Sequence, residues 1–357
     1  MLEIKILNTF SKRKISKRKK KHLSIFESSL RVNDDGDKIC PICNKKVNSF
    51  CGSHSLPKFV LKHLADNGII KTGKSFQSGT YKTIFGINNT LIFNSICREC
   101  DNSFFQDYEN ENAFNTKITD VAINEIALKN YFRYLYKQQR EVIRFSKLVK
   151  QEKYEDKKAI YLNQLFLSKA NVEETMNKID KSIKDKNKHN YYVIDEIDLD
   201  YRTELAYQGF ITPIYGFDGL INNIYDYNLN NKIYQLGLCV FPHKNGTKII
   251  LFCEEGATKL KFFYRKYRML ALEQKLYVIN YMLLLFEEDW VINGSFKAKL
   301  NIDTLLLINQ RDVVCQATNN PFELLDNLSL VESTKDTFSL KTEGNIYNFL
   351  ANNSSKN

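Results

Sequence analysis

The sequence predicts an α+β protein, on three observations. Two C-x-x-C pairs, Cys40/Cys43 and Cys97/Cys100, bracket a block punctuated by glycines. Helical periodicity then runs from Thr119 to about Gln151. Beyond Asn190 come short apolar runs of strand character, and after them helices. These divide the chain into a basic, flexible N-terminal segment (1–31), a zinc-stapled module (32–116) and a mixed α+β domain with a small antiparallel sheet (117–357), frayed at its NNSSKN end.

The elements follow in order. NDDGDK, from Asn33, is turn-rich and marks a border. PKFVLKHLADNG predicts a helix: Pro57 suits the first helical position, Phe59, Val60, Leu61 and Leu64 share a face, and Gly68 can close it. Asn67-Gly68, Thr72-Gly73 and Ser78-Gly79 mark a loop and hairpin region. A second helix is expected from near Asp101 through Phe104, Phe105 and Tyr108. The long helix from Thr119 precedes a polar helical stretch over about 170–186. YYVIDEIDLD, LAYQGFITPIYG, KIYQLGLCVF and TKIILFC read as strands, the last two joined by PHKNG, whose Asn245-Gly246 signals a hairpin. Helices return over 256–290.

Composition narrows the class. In 357 residues, 43% are apolar, which describes a globular chain and excludes a disordered or collagen-like one. No run approaches the ~18 apolar residues of a membrane span; the best, Tyr277–Phe286, is short and interrupted by Asn280. Nor does a secretory apolar core precede Ser11, Lys12 and Arg13, so the expectation is a soluble, cytoplasmic protein without membrane contact. The net charge is +11, concentrated at the start: residues 1–31 hold ten Lys/Arg against Glu3 and Glu27. Lys12, Arg13, Lys14, Lys17, Arg18, Lys19, Lys20 and Lys21 form a run that suits a polyanion through counterion release, or else a solvated tail.

Eight cysteines in a reducing compartment are not expected to be disulfides. Cys239, Cys253 and Cys315 lie in apolar surroundings and read as core. Cys40, Cys43, Cys97 and Cys100 supply two thiol pairs, the donor set of a tetrahedral Zn²⁺ with sulfur at about 2.3 Å. Four thiolates leave no open coordination position, so this zinc is structural. Something further must be built from residues 44–96, and there stands Cys51-Gly-Ser-His-Ser-Leu-Pro-Lys-Phe59. Directly after the second pair comes Asp101-Asn-Ser-Phe-Phe-Gln-Asp-Tyr-Glu109.

Over about residues 38–110 this order resembles the HNH, or His-Me finger, endonucleases. The resemblance is closest to the endonuclease VII-type subgroup, whose treble-clef, ββα-metal site is held by two C-x-x-C knuckles. It implies that His54 is the general base, deprotonating the water that attacks a phosphodiester. It makes Asp101, which follows the second knuckle, a ligand of a catalytic Mg²⁺ or Mn²⁺. Lys58, one turn into the next helix, is placed to contact a phosphate. Where the family carries Asp or Glu before the histidine, this chain has Ser53. Glu109, eight residues after Asp101, is the candidate replacement ligand, with Asn110 and Asp107 as competitors; the family asparagine falls on Asn94 or Asn102.

Plainer readings stand beside these. Asp101 suits a helix N-terminus by charge alone. His63 reads as structural and Cys51 as a stray core thiol. Glu287, Glu288 and Asp289 read as a solvated helix end.

The resemblance thus implies a metal-dependent endonuclease acting on nucleic acid, with double-stranded DNA the foremost substrate. Bacterial chains pairing such a module with a second domain often serve in antiviral defence or mobile elements. The alternative is a zinc-stabilised protein that binds nucleic acid without cutting it. A third reading is an interaction protein in which zinc only stabilises a small domain. A homo-oligomer, or a regulatory partner on residues 117–357, remains open.

Overall fold

The computed structural model describes residues 38–73, 85–224, 226, 231–296, 300–317 and 344–352, with Glu332, Lys335, Phe338 and Leu340; in 302–317 side chains are described to Gln310. The basic run at 12–21 and the side chain of Cys315 lie outside this description.

The described residues open with a short hairpin, β1 (Lys38–Ile39) and β2 (Lys46–Val47), whose turn carries Cys40 and Cys43. Asn44 takes φ +55 there, and its N–H donates to the Cys40 carbonyl at 2.8 Å. β3 (Ser53–His54) pairs antiparallel with β6 (Ile92–Phe93). Between them lie α1 (Lys58–Leu64), β4 (Ile69–Thr72) and β5 (Phe85–Gly86). Pro57 is the residue before the helix and not its first. The helix also stops at Leu64, short of the expected Gly68; Asn67 and Gly68 instead form a left-handed turn, φ +50 and +74, that leads into β4.

The second cysteine pair opens α2 (Arg98–Phe104). Phe105 then breaks the helix before α3 (Gln106–Glu109), where one continuous helix was expected. Two long helices follow, α4 (Asp120–Gln151) and α5 (Glu155–Lys184). Thr119 caps α4 by accepting from the Ala122 N–H at 3.2 Å. Helix α5 begins well before the expected 170. Its first half packs through Tyr161 and Leu165 on Phe145 and Leu148 of α4, a contact too local to impose a long apolar pattern.

The remaining elements among the described residues are β7 (Tyr191–Leu199), β8 (Leu205–Ile211), the small β9 (Tyr215–Gly216) and β10 (Gly219–Leu220) pair, β11 (Leu236–His243), β12 (Gly246–Glu254), α6 (Leu260–Arg268), α7 (Leu272–Phe286), β13 (Val291–Asn293) and α8 (Ile302–Ala317). The expected hairpin is β11–β12, with His243 opposite Gly246. Gly246 has φ +154, and a Cβ there would sit 1.9 Å from the Leu199 carbonyl oxygen, so only glycine fits.

All seven strands of the main sheet run antiparallel, in the order β5-β4-β13-β8-β11-β12-β7. The expected antiparallel sheet is therefore present, and it extends into the N-terminal block: β4 pairs with β13, Thr72 opposite Val291.

Both faces of the sheet are covered. Leu238, Val240, Ile249 and Leu251 face a core shared with Leu260, Val278 and Met282 of α6 and α7. Cys239, Phe241, Ile250 and Phe252 face a second core with Val60, Phe93 and Phe105 of the cysteine-bearing block and Ile126 and Phe132 of α4. Two-sided burial explains why LGLCVF and TKIILFC read as continuous apolar runs. Cys239 and Cys253 are core, as expected. Asp289 is not at a solvated end: it is buried, with Arg133 at 2.5 Å and Lys137 also paired to it. No helix among the described residues is long and apolar enough to cross a membrane.

Candidate metal centre and adjoining histidine site

Backbone geometry brings the two cysteine pairs together. The β1–β2 turn presents Cys40 and Cys43, while Cys97 caps α2 and its Sγ accepts from the Cys100 N–H at 3.5 Å. Cys40 Sγ accepts from the Cys97 N–H, also at 3.5 Å. The four sulfurs lie within 4.8 Å of one another, and Cys43 and Cys97 are 4.0 Å apart. A tetrahedral ion with bonds of about 2.3 Å needs sulfurs about 3.8 Å apart, so the cluster is close enough to hold a metal ion and compatible with structural zinc.

Electrostatics agree with the geometry. Burial pushes the Cys40 thiol up, but N–H donors at Cys43, Cys97 and Ile42 outweigh it and bring it to about 7. Cys97 and Cys100 are pushed up, by burial first and then by the neighbouring thiols. A cation shared by the sulfurs would favour the thiolate at Cys97 and Cys100. Among the described residues this cluster is the one group of three or more Cys, His, Asp or Glu near enough to hold an ion. Cys51 stands outside it; burial, then the Asp101 carboxylate, raises its thiol to about 11.

Beside the cluster, strand alternation on β3 turns Ser53 inward and leaves His54 half-buried. Ser53 Oγ donates to Asp101 Oδ1 at 2.6 Å. His54 Nε2 lies 3.2 Å from the Ile87 carbonyl oxygen. A carbonyl can only accept, so Nε2 carries the proton and the neutral ring keeps its lone pair on Nδ1. Burial lowers the His54 pKa; the Lys58 and Lys129 ammoniums lower it further, while the Ile87 carbonyl and Asp101 oppose them. Lys58 is exposed at the start of α1, and its charge is felt at the His54 ring.

Asp101 and Glu109 do come together, although the helix breaks between them. Lys129, reaching in from α4, joins them: its Nζ donates to Asp101 Oδ1 at 2.6 Å and to Glu109 Oε1 at 3.0 Å. The Lys129 side chain is 1% exposed, against 19% for Asp101 and 37% for Glu109. Its ammonium also lies 4.1 Å from the centre of the Phe105 ring.

Comparison with protein-family models, curated proteins and solved structures finds no match.

The other expected participants lie elsewhere. Asp107 approaches Lys186 at 4.0 Å, and Asn110 caps the turn over 111–115 by accepting from the Asn112 N–H at 3.1 Å. Asn94, with its amide turned, donates to the Phe93 and Cys51 carbonyls, beside the β3–β6 strand pair. Asn102 lends its backbone carbonyl to Gln106. His63 pairs with Glu111 at 2.7 Å, the structural role expected of it.

Lys129 is the residue sequence reasoning missed, and a signal for it existed. Glu125, Lys129 and Arg133 stand four residues apart on the buried face of α4. Charges there need partners from other elements.

Proposed function

We propose that residues 38–110 form a zinc-stapled treble clef of the His-Me finger kind, acting on nucleic-acid phosphodiester bonds with His54 as general base. The observation that carries it is the state of His54: half-buried, neutral, its proton fixed on Nε2 by Ile87. Nδ1 is left as the acceptor for a proton from water. An antiparallel strand pair (β3–β6) followed by a helix that starts at the second cysteine pair supports the same reading. In it, zinc on Cys40, Cys43, Cys97 and Cys100 holds the hairpin and α2 in register. The exposed Lys58 ammonium binds the phosphate whose ester is cut.

The residues expected to hold a second, divalent ion do not fit one as they stand. Asp101 and Glu109 bind the Lys129 ammonium, and Asp101 Oδ1 also accepts from Ser53. Lys129 specifically favours the second reading, a zinc-stabilised protein that binds DNA without cutting it.

Supercoiled-plasmid cleavage separates the two. The intact, zinc-loaded chain and His54→Ala are incubated with Mg²⁺, with Mn²⁺ and with neither. Nicking by the intact chain that is lost in His54→Ala supports the hydrolase. Retardation of the plasmid without cleavage under all conditions sinks the catalytic reading in favour of binding alone.

A further inference from the structure

We propose that the Lys129 ammonium is the resident cation of the Asp101–Glu109 pair, so that a divalent ion binds these carboxylates only when the ammonium leaves. The proposal rests on the reading of these two residues as the candidate ion ligands.

Geometry comes first. One Nζ bridges oxygens from two carboxylates at 2.6 and 3.0 Å, which is the bridging role a small cation plays between acidic ligands. Asp101 Oδ1 is further engaged by Ser53 Oγ at 2.6 Å, so the oxygen facing the site already accepts twice. The Phe105 ring closes over the ammonium on another side.

Charge follows. Two carboxylates and one ammonium leave the group at a single negative charge. A divalent ion added beside the ammonium would bring three positive charges against two negative ones, and the ammonium itself, 1% exposed, is shielded from screening water. A divalent ion must therefore displace the ammonium, whose resting place is set by the backbone that carries Lys129.

That backbone belongs to α4, outside the block that carries Asp101 and Glu109. Helix α4 is packed along α5 and against the sheet at β7 and β8, with Tyr131 on Phe210. Ion occupancy at Asp101–Glu109 is therefore set by where α4 sits, and the resting chain holds no divalent ion there.

Mn²⁺ titration of the full, zinc-loaded chain, followed by electron paramagnetic resonance, tests this without reference to cleavage. Four proteins are compared: the unaltered chain, Asp101→Asn, Lys129→Met, and Lys129→Met with Asp101→Asn. The unaltered chain and Asp101→Asn are expected to behave alike, with no Asp101-dependent site. Lys129→Met, which keeps the length of the stem without the charge, is expected to gain a Mn²⁺ site at least about tenfold tighter. The added Asp101→Asn should abolish it. Mn²⁺ binding by the unaltered chain that disappears in Asp101→Asn overturns the proposal, and so does a folded Lys129→Met that gains no site. Should Lys129→Met fail to fold, the first pair of proteins decides. An uncut plasmid would count against the hydrolase reading and leave this titration untouched.

Discussion

At the scale of single residues, the informative positions are those whose protonation the fold fixes. His54 and His243 are both held below the ordinary histidine value of 6.5 by burial first. Lysine charges add to this, Lys58 and Lys129 at His54 and Lys248 at His243. A folded state that resists protonation binds fewer protons than the unfolded chain, so this contribution to stability is full above pH 6.5 and declines as pH falls through the folded value. Glu125 acts in the opposite sense. Burial raises it to about 7, and its contribution is lost as pH rises toward that value. The net pH curve therefore mixes opposing signs, and a difference measurement isolates His54. Urea midpoints taken at mildly acidic and mildly alkaline pH should fall on acidification by more in the unaltered chain than in His54→Gln. Equal declines in the two proteins would show that the ring is not held neutral.

At the scale of elements, the four cysteines bring together two short pieces that an ion held there would tie. β1 and β2 are two residues each, and α2 is seven residues long. Hairpins and helices this short do not persist by their own hydrogen bonds. A shared ion would supply what propensity cannot. We expect about one zinc per chain, falling to nearly none in the Cys97→Ser, Cys100→Ser double variant. The metal-free protein should lose the first part of its thermal transition, read by circular dichroism together with zinc content. A double variant that melts like the unaltered chain would mean that packing alone holds the block. The other break in local order is Phe105. It splits the predicted second helix, buries its own ring beside Phe132, and tips α3 so that Glu109 meets Lys129.

On the scale of the whole molecule, the division at 116/117 is crossed by the main sheet. β4 and β5 complete it through β13, and Val60, Ile70, Phe93 and Phe114 share a core with Ala206, Phe241 and Val291. Each such side chain contributes about 1.5–3 kcal/mol when buried, so exposing several at once exceeds the margin of a small block. A fragment of residues 38–116, loaded with zinc, is expected to show no cooperative melt and poor amide dispersion in NMR spectra. A sharp transition in the fragment would show instead that the block folds on its own and docks afterwards.

The same scale separates what was legible from what was not. The cysteine cluster could be read because a C-x-x-C turn converges two sulfurs locally, whatever surrounds it. Likewise local are the signs of β7, β8, β11 and β12, of the hairpin at Gly246, and of α4 with its Thr119 cap. The sequence by itself therefore determined the thiol cluster, the principal strands and helices, and the candidacy of His54. Pairing between distant segments left no local mark. β4 meets β13 across more than half the chain, Asp289 is neutralised by Arg133 and Lys137, and a lysine of α4 lies between two carboxylates of α2 and α3. Such contacts depend on which faces the cores bring together, because a buried charge takes its partner from whichever element packs against it. Only the tertiary structure decided that the cation beside Asp101 and Glu109 is Lys129.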